Sequence, residues 1–410
     1  MYYVGIDWAD RHHDISVVNL AGKEKKRFRI THNLNGFNDL VVRLRFLKAE
    51  IRDVAFCIER PQGLLIEFLL KHGYVVYPIN PKSAERYRDR HSTSSKKDDG
   101  FDAFVLADAL RTDINRFKPL VPDSELSREL KMLVQDREHL VHTKTKILNQ
   151  LTACLKEYYP TGLEIFSKLQ NDVTICFLKN YSTSGSLDKM TFKEFKKFMN
   201  SNKYPWKMLG KTPKSLFQEI QSMKPFLSAD PAVVKAKSRL MLALLGQLET
   251  LVSQVKQYDG EIEKLMNQHP DNDIFTSLPG SGKKVSAKLS AYFGEDRKRF
   301  DSYESVQRLA GTAPVTKSSG NMHYVHWRWA CQKNFRNALT QFAFSSLGKS
   351  IWARKYYQDK RDKGKTHSAA LRALANKWVK IIYTLWKNRR MYKEEVFLAS
   401  RQIHMLLNDS

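Results

Sequence analysis

A chain of 410 residues exceeds one ordinary hydrophobic core and points to two or three domains. Apolar residues make up 42% at a mean hydropathy of −0.49, and no run of about 18 apolar residues exists, which excludes a membrane span. Lys and Arg number 69 against 43 Asp and Glu, a formal charge of +26, so the expected partner is a polyanion.

Nucleic acid suits that charge better than a membrane surface, because the basic stretches carry Trp and Tyr within patterned helices rather than sitting in a tail. The four cysteines (Cys57, Cys154, Cys176, Cys331) are far apart and form no CxxC, which argues against a zinc site or disulfide framework. A reducing compartment, the cytoplasm, fits. The opening MYYVGIDWAD lacks the basic-then-apolar layout of a signal peptide and reads as a strand.

In chain order, YYVGID, DISVVNL, FRI, DVAFCIE and YVVYPIN read as strands, with the helix QGLLIEFLLKHG ending at Gly73. A polar loop, RHSTSSKK, precedes a helix from about Asp99 to Arg111. The expectation is an α/β domain over 1–122, a mixed sheet covered by helices. Residues 123–159 and 229–268 then carry apolar side chains at spacings of three and four. They predict two long helices that pair as an antiparallel coiled coil or with copies from another subunit, or whose apolar stripes are simply core. Residues 160–228 show no clear period and read as an inserted subdomain without an assigned role. The rest, 269–400, is mostly α and basic, interrupted by APVTKSSGNMHYVHWRWA, a loop or hairpin.

Four acids stand out against the basic background. Asp7 ends the first strand, Glu59 ends DVAFCIE, and Asp99 and Asp102 are three apart on one side of a helix start, with Asp98 pointing elsewhere. If the two strands are neighbours, the four carboxylates converge, repel, and raise one another's pKa values unless a hard cation such as Mg²⁺ joins them. Two such ions suit phosphodiester chemistry. Taken singly, each acid also fits a turn or a helix cap. Asp10, Asp14 and Asp108 are expected to be solvated.

GSGKK at 280–284 fails as an ATP-binding loop, since Ser277 stands where Gly is required and Lys284 where Ser or Thr is. It reads as a helix-hairpin-helix turn offering backbone N–H groups, with Lys283 and Lys284, to a phosphate, or as a plain glycine turn. In AGTAPVTKSSG, Ser318 and Ser319 lie beside Lys317, and Arg328, Lys333 and Arg336 follow. A serine hydroxyl attacking a phosphodiester requires help with deprotonation and cations on the phosphate. SSG alone is also an ordinary turn.

GIDWAD, IER followed by PQG, and K-x-D-x-x-D-A at Lys97 to Ala103 resemble the DEDD signature of the one-ten family of bacterial insertion-sequence transposases, which Piv-type DNA invertases share. LAGTAPV…SG, RWACQKNFRNAL and YY…R…GK…ALRALANKW are similar to that family's C-terminal transposase domain. Gly100 replaces a common Arg without touching a ligand position. The resemblance covers roughly the first 150 residues and 270–400. It implies a RuvC-like, ribonuclease-H-like N-terminal domain whose Asp7, Glu59, Asp99 and Asp102 bind Mg²⁺. It also implies that the Ser directly before Gly, Ser319, is the nucleophile, with Ser318 the fallback. A composite site would then cut and rejoin donor and target DNA through a phosphoserine bond, in a homo-oligomer (dimer or tetramer) guided by a noncoding bridge RNA. The alternatives are a metal-dependent nuclease or Holliday-junction resolvase without serine chemistry, and a non-catalytic nucleic-acid scaffold.

Overall fold

The computed structural model describes residues 1–91, 99–166, 168–204, 206, 210–319, 322–396 and 398. Two units divide the chain, Met1–Pro122 and Asp123–Ser410. In the first, β1 (Tyr2–Trp8), β2 (His12–Asn19) and β3 (Glu24–Thr31) form an antiparallel meander, and β4 (Val54–Ile58) and β5 (Val75–Pro78) add in parallel beyond β1. The order across the sheet is β3-β2-β1-β4-β5. β4, VAFCI, is buried throughout, as an unbroken apolar run in a parallel strand covered on both faces should be.

Side-chain alternation along β1 sorts the two faces. Val4 and Ile6 pack with Phe37, Leu40 and Leu44 of α1 (Leu34–Arg45) and Leu65, Ile66 and Leu69 of α2 (Leu64–Lys71). Tyr3, with Ala55 and Cys57 of β4, packs with Leu106, Ala107 and Leu110 of α4 (Asp99–Asp113) and Ala84 of α3 (Pro81–His91). The mixed sheet between helices is the arrangement expected from the sequence, while α1 and α3 are additional.

Gly5 sets how closely α4 approaches. A Cβ there would stand 1.9 Å from the Ala103 carbonyl oxygen and 2.6 Å from the Ala107 nitrogen, so the helix backbone lies directly on β1. Gly5→Ala should therefore lower stability by about 1–3 kcal/mol in chemical denaturation, since the obstruction is backbone rather than a side chain that can rotate away. An unchanged midpoint would mean α4 can lift off freely.

In the second unit, helices Glu125–Tyr158 and Pro231–Gln268 lie antiparallel. Arg137 pairs with Asp259 near one end, and Lys237 with Glu157 near the other. Their stripes are split between two cores. Leu151, Leu155, Tyr158, Met241, Leu245 and Leu248 pack under the helices of the 160–228 segment, including Asp172–Asn180, Phe192–Ser201 and Pro213–Ser222. These helices are nine or ten residues long, too short for a periodicity to stand out.

Leu130, Val134, Ile262 and Met266, at the opposite end, enter the C-terminal core around Phe293, Phe335, Trp378 and Trp386. That core is formed by helices Gly282–Phe293, Tyr303–Ala310, Lys333–Ser346, Ile351–Asp362 and His367–Lys387. Buried Glu138 ties the helical pair to it, accepting from the Tyr292 hydroxyl at 2.6 Å and pairing with Lys288 at 3.1 Å. The segment read as a loop or hairpin is a hairpin, β6 (Val315–Ser319) against β7 (Met322–His326). Among the described residues, no helix is long and apolar enough to cross a membrane.

Candidate active site

β1 and β4 run parallel with Ile6 opposite Ile58, so the residues that follow, Asp7 and Glu59, stand side by side at the carboxyl ends of neighbouring strands. Asp7 shares the face of Gly5, the face that α4 covers. Trp8 and Arg60 alternate away from it and clasp each other, the guanidinium 4.2 Å from the indole centroid. On α4, Ala103 rests on Gly5, so Asp102 beside it and Asp99 one turn earlier overhang the strand ends.

The other acids act on Asp7 and Glu59. The Asp7 pKa is raised to about 6, first by burial and then by the negative charges of Asp102, Asp99, Glu59 and Asp14. Glu59 is raised by burial and by Asp102, against the lowering pull of Arg88. Asp102 ion-pairs with Arg88 of α3, yet its Oδ1 is buried without a hydrogen-bond partner among the described residues. An unsatisfied buried carboxylate oxygen is costly, and its neighbours are acids that cannot donate when ionised.

The structure adds four residues that sequence reasoning missed. Asp14 lies directly across the β1–β2 ladder from Asp7, and its two oxygens accept from Arg29 of β3 at 3.1 and 2.8 Å. His12, Asp14 and Asp99 each bring a ligand atom within 4.8 Å of the others. Counting back symmetrically from the turn after Trp8 could have found Asp14. Nothing in the sequence pointed to Arg88, because α3 went unread.

Two expectations need correction. Asp14 is not solvated: its side chain is 13% exposed and held by Arg29. Asp108 is buried, ion-paired with Arg111 and 3.0 Å from the His91 ring, because it faces α3 rather than water. Asp10 is exposed, as expected. Asp98 lies outside the described residues.

The donor set suits a hard divalent cation. It is all oxygen apart from His12, carries more negative charge than Arg29 and Arg88 neutralise, and includes the unpartnered Asp102 Oδ1.

In the second unit, Ser318 and Ser319 end β6, their backbones opposite His323 and Met322. The side chains of Lys317, Ser318 and Ser319, and Gly320 as a whole, lie outside the described residues. The glycine turn before helix Gly282–Phe293 serves packing: a Cβ on Gly280 would stand 2.5 Å from the Ser345 carbonyl oxygen. Lys283 and Lys284 reach Glu263 and Asp259 on the long helix, which takes up much of their charge. Arg328 donates to the carbonyls of Ala313 and Pro314, Arg336 to that of Arg328, and Lys333 is exposed.

Comparisons with known proteins match both units. Residues 4–160 fit the profile of the DEDD transposase domain of IS110 elements, described as "Transposase". Residues 272–358 fit the profile "Transposase IS116/IS110/IS902 family". The "Mini-circle putative transposase for IS117" of Streptomyces coelicolor is 32% identical over 407 residues, covering 96% of this chain and 95% of the relative. The "Insertion element IS116 uncharacterized 44.8 kDa protein" of Streptomyces clavuligerus is 24% identical, with 95% and 96% covered. A third similar protein, the "Insertion element IS110 uncharacterized 43.6 kDa protein" of Streptomyces coelicolor, is 25% identical with 73% of each chain covered.

Proposed function

This chain belongs to the IS116/IS110/IS902 family of transposases, and from that premise we propose that it cuts and rejoins DNA at the carboxylate cluster of its first unit, assisted by the serine loop of its second. The observation that carries the reading is the gathering of Glu59, Asp99 and Asp102 around Asp7 at two strand ends and one helix start, where burial first and then their negative charges raise the Asp7 pKa to about 6. No fold requires that arrangement for stability, since each carboxylate raises the charging cost of the others. A site built against its own electrostatics is a functional candidate.

Asp7, Glu59, Asp99 and Asp102 would hold Mg²⁺, with Asp14 and His12 close by. Bound divalent ions supply charge stabilisation for the attacking and leaving oxygens of a phosphodiester. Arg88 holds one oxygen of Asp102 and leaves the other buried without a partner among the described residues, which limits its rotation before any cation arrives. Ser319 is the proposed nucleophile, and Lys333 and Arg336 the cations best placed in sequence to hold DNA phosphates near it. The acids and the serine are proposed to come from different subunits of a dimer or tetramer, and a bridge RNA to select the DNA, as the family resemblance implies.

Mg²⁺ titrated against thermal unfolding tests the metal reading. A ligand at a hundred times its Kd adds about 2.7 kcal/mol to the folded state, so the wild type should gain several degrees. Asp99→Asn with Asp102→Asn should lose most of that gain. An equal gain in the double variant would place the cation elsewhere. Cleavage of cognate DNA with its RNA should accompany Mg²⁺ and stop with chelator; cleavage in chelator would refute the metal-dependent mechanism.

A further inference from the structure

Residues 305–358 contain no Asp or Glu, and neither do residues 363–393. Both stretches meet at Trp327, which follows β7. The Arg336 guanidinium, from helix Lys333–Ser346, sits 4.6 Å from the indole centroid, and that of Arg372, from helix His367–Lys387, sits 3.8 Å from it. Neither arginine has a carboxylate partner among the described residues, and both are partly buried. The Arg372 pKa is lowered by burial and by Arg336. Two like charges gathered on one ring, without a counter-ion among the described residues, leave room for an anion that those residues do not supply.

Beside this pair lies an aromatic surface that the core does not use. Trp329 is 78% exposed and Tyr324 53% exposed, with the Trp329 ring 6.3 Å from that of Trp327 and the Tyr324 ring stacked on His326 at 6.0 Å. Single exposed apolar residues are common, but Trp329 against Trp327, and Tyr324 three residues before Trp327 on β7, place two exposed rings on the segment that carries the cation pair. Flat π-faces next to guanidiniums match a nucleotide: a base to stack and a phosphate to bind. A paired duplex hides its base faces, so the match is to an unpaired strand.

We propose that Arg336 and Arg372, assembled on Trp327, seat a backbone phosphate of DNA, and that Trp329 and Tyr324 stack an unpaired base of the same strand. The proposal rests on the reading of DNA as substrate and adds where, and in what state, a strand is held. Strand exchange exposes such bases whenever a cut strand leaves its partner. Arg372, Trp327, Trp329 and Tyr324 then join Arg336 in one subsite.

Fluorescence anisotropy of one labelled oligodeoxynucleotide, single-stranded and as a blunt duplex, tests this in chelator, where no cutting occurs. The full-length wild type should bind the single strand, and Trp329→Ala with Tyr324→Ala should weaken that by about tenfold while changing duplex affinity by less than about twofold. Both rings are exposed, so the variant should fold. Arg372→Gln should weaken both forms and reduce the salt dependence by about one phosphate contact.

Equal losses on the two forms, or none, would overturn the proposal. So would a change of oligomeric state in the double variant with affinity per subunit unchanged, because the surface would then be a subunit contact. Catalysis plays no part in this readout. A protein that prefers unpaired DNA through these residues but never cuts it would sink the recombinase reading and leave the subsite standing.

Discussion

Asp7→Asn should abolish DNA strand cutting and, in the same protein, make the metal-free fold more stable at neutral pH. The loss follows from its place at the centre of the cluster, where four other acids act on it. Removing a metal-holding carboxylate forfeits several kcal/mol of charge stabilisation in the transition state, so cutting should fall by roughly 10³-fold or more. The gain follows from the sign of the shift. Asp7 ionises near 3.8 when unfolded and about 6 when folded, so the folded state binds the proton more tightly.

Wild-type stability should therefore decline as pH rises from about 4 to 6 and stay lower above that. Asn carries no charge and escapes the decline. The difference at pH 7 should be on the order of 1–2 kcal/mol, discounted from the full shift because Asp7 is partly open to solvent. Mg²⁺ should reverse the trend in the wild type, because the cation requires the ionised group and its stabilising effect grows as pH passes 6. Urea melts at pH 5 and pH 7.5, with and without Mg²⁺, measure all of this. An Asn variant no more stable than wild type at pH 7.5, or still active, would remove Asp7 from the site.

The cluster was legible in the sequence because it hangs on elements whose patterns are unambiguous. YYVGID alternates, VAFCI is continuously apolar, and an acid at the end of each can be placed by strand adjacency alone. Asp99 and Asp102 needed only helical spacing. What the sequence hid was the supporting ring. Asp14 becomes a neighbour of Asp7 only through the register of the β1–β2 turn. Arg88 reaches Asp102 from α3, where Ala84 alone is buried and no apolar period announces a helix.

Gly5 could be read as a glycine but not as the point where a helix backbone touches a strand, which depends on packing. The same limit explains the lysines of the glycine turn. From the sequence they were two free cations beside a phosphate-sized turn, whereas their partners, Glu263 and Asp259, lie 20 or more residues earlier on a separate helix. Arg336 was singled out as a cation, but Trp327 and Arg372, which give it its setting, come from a strand end and a helix 36 residues away.

Ser319→Ala should eliminate every covalent protein–DNA adduct while leaving Mg²⁺ binding and the melting temperature unchanged. In the proposed step the Ser319 oxygen forms a bond to phosphorus, the bond from phosphorus to a deoxyribose oxygen breaks, the serine proton departs, and the freed oxygen takes one up. The phosphodiester energy is kept in the phosphoserine bond, so rejoining requires no outside energy source. Removing a nucleophile of this kind should cost roughly 10⁴-fold or more in cutting.

Ser318 and Ser319 are the last two residues of β6, and the family resemblance assigns the nucleophile to the Ser directly before Gly, Ser319. Ser318→Ala should retain at least about a tenth of the adduct, since the hydroxyl proposed to attack phosphorus, that of Ser319, is left in place. Denaturing electrophoresis of radiolabelled DNA incubated with protein, RNA and Mg²⁺ reads both variants directly. Adduct persisting in Ser319→Ala but lost in Ser318→Ala would move the nucleophile by one position. Cutting that survives both changes yet still fails in Asp7→Asn would show that the carboxylates work without a serine, as in a metal-dependent resolvase.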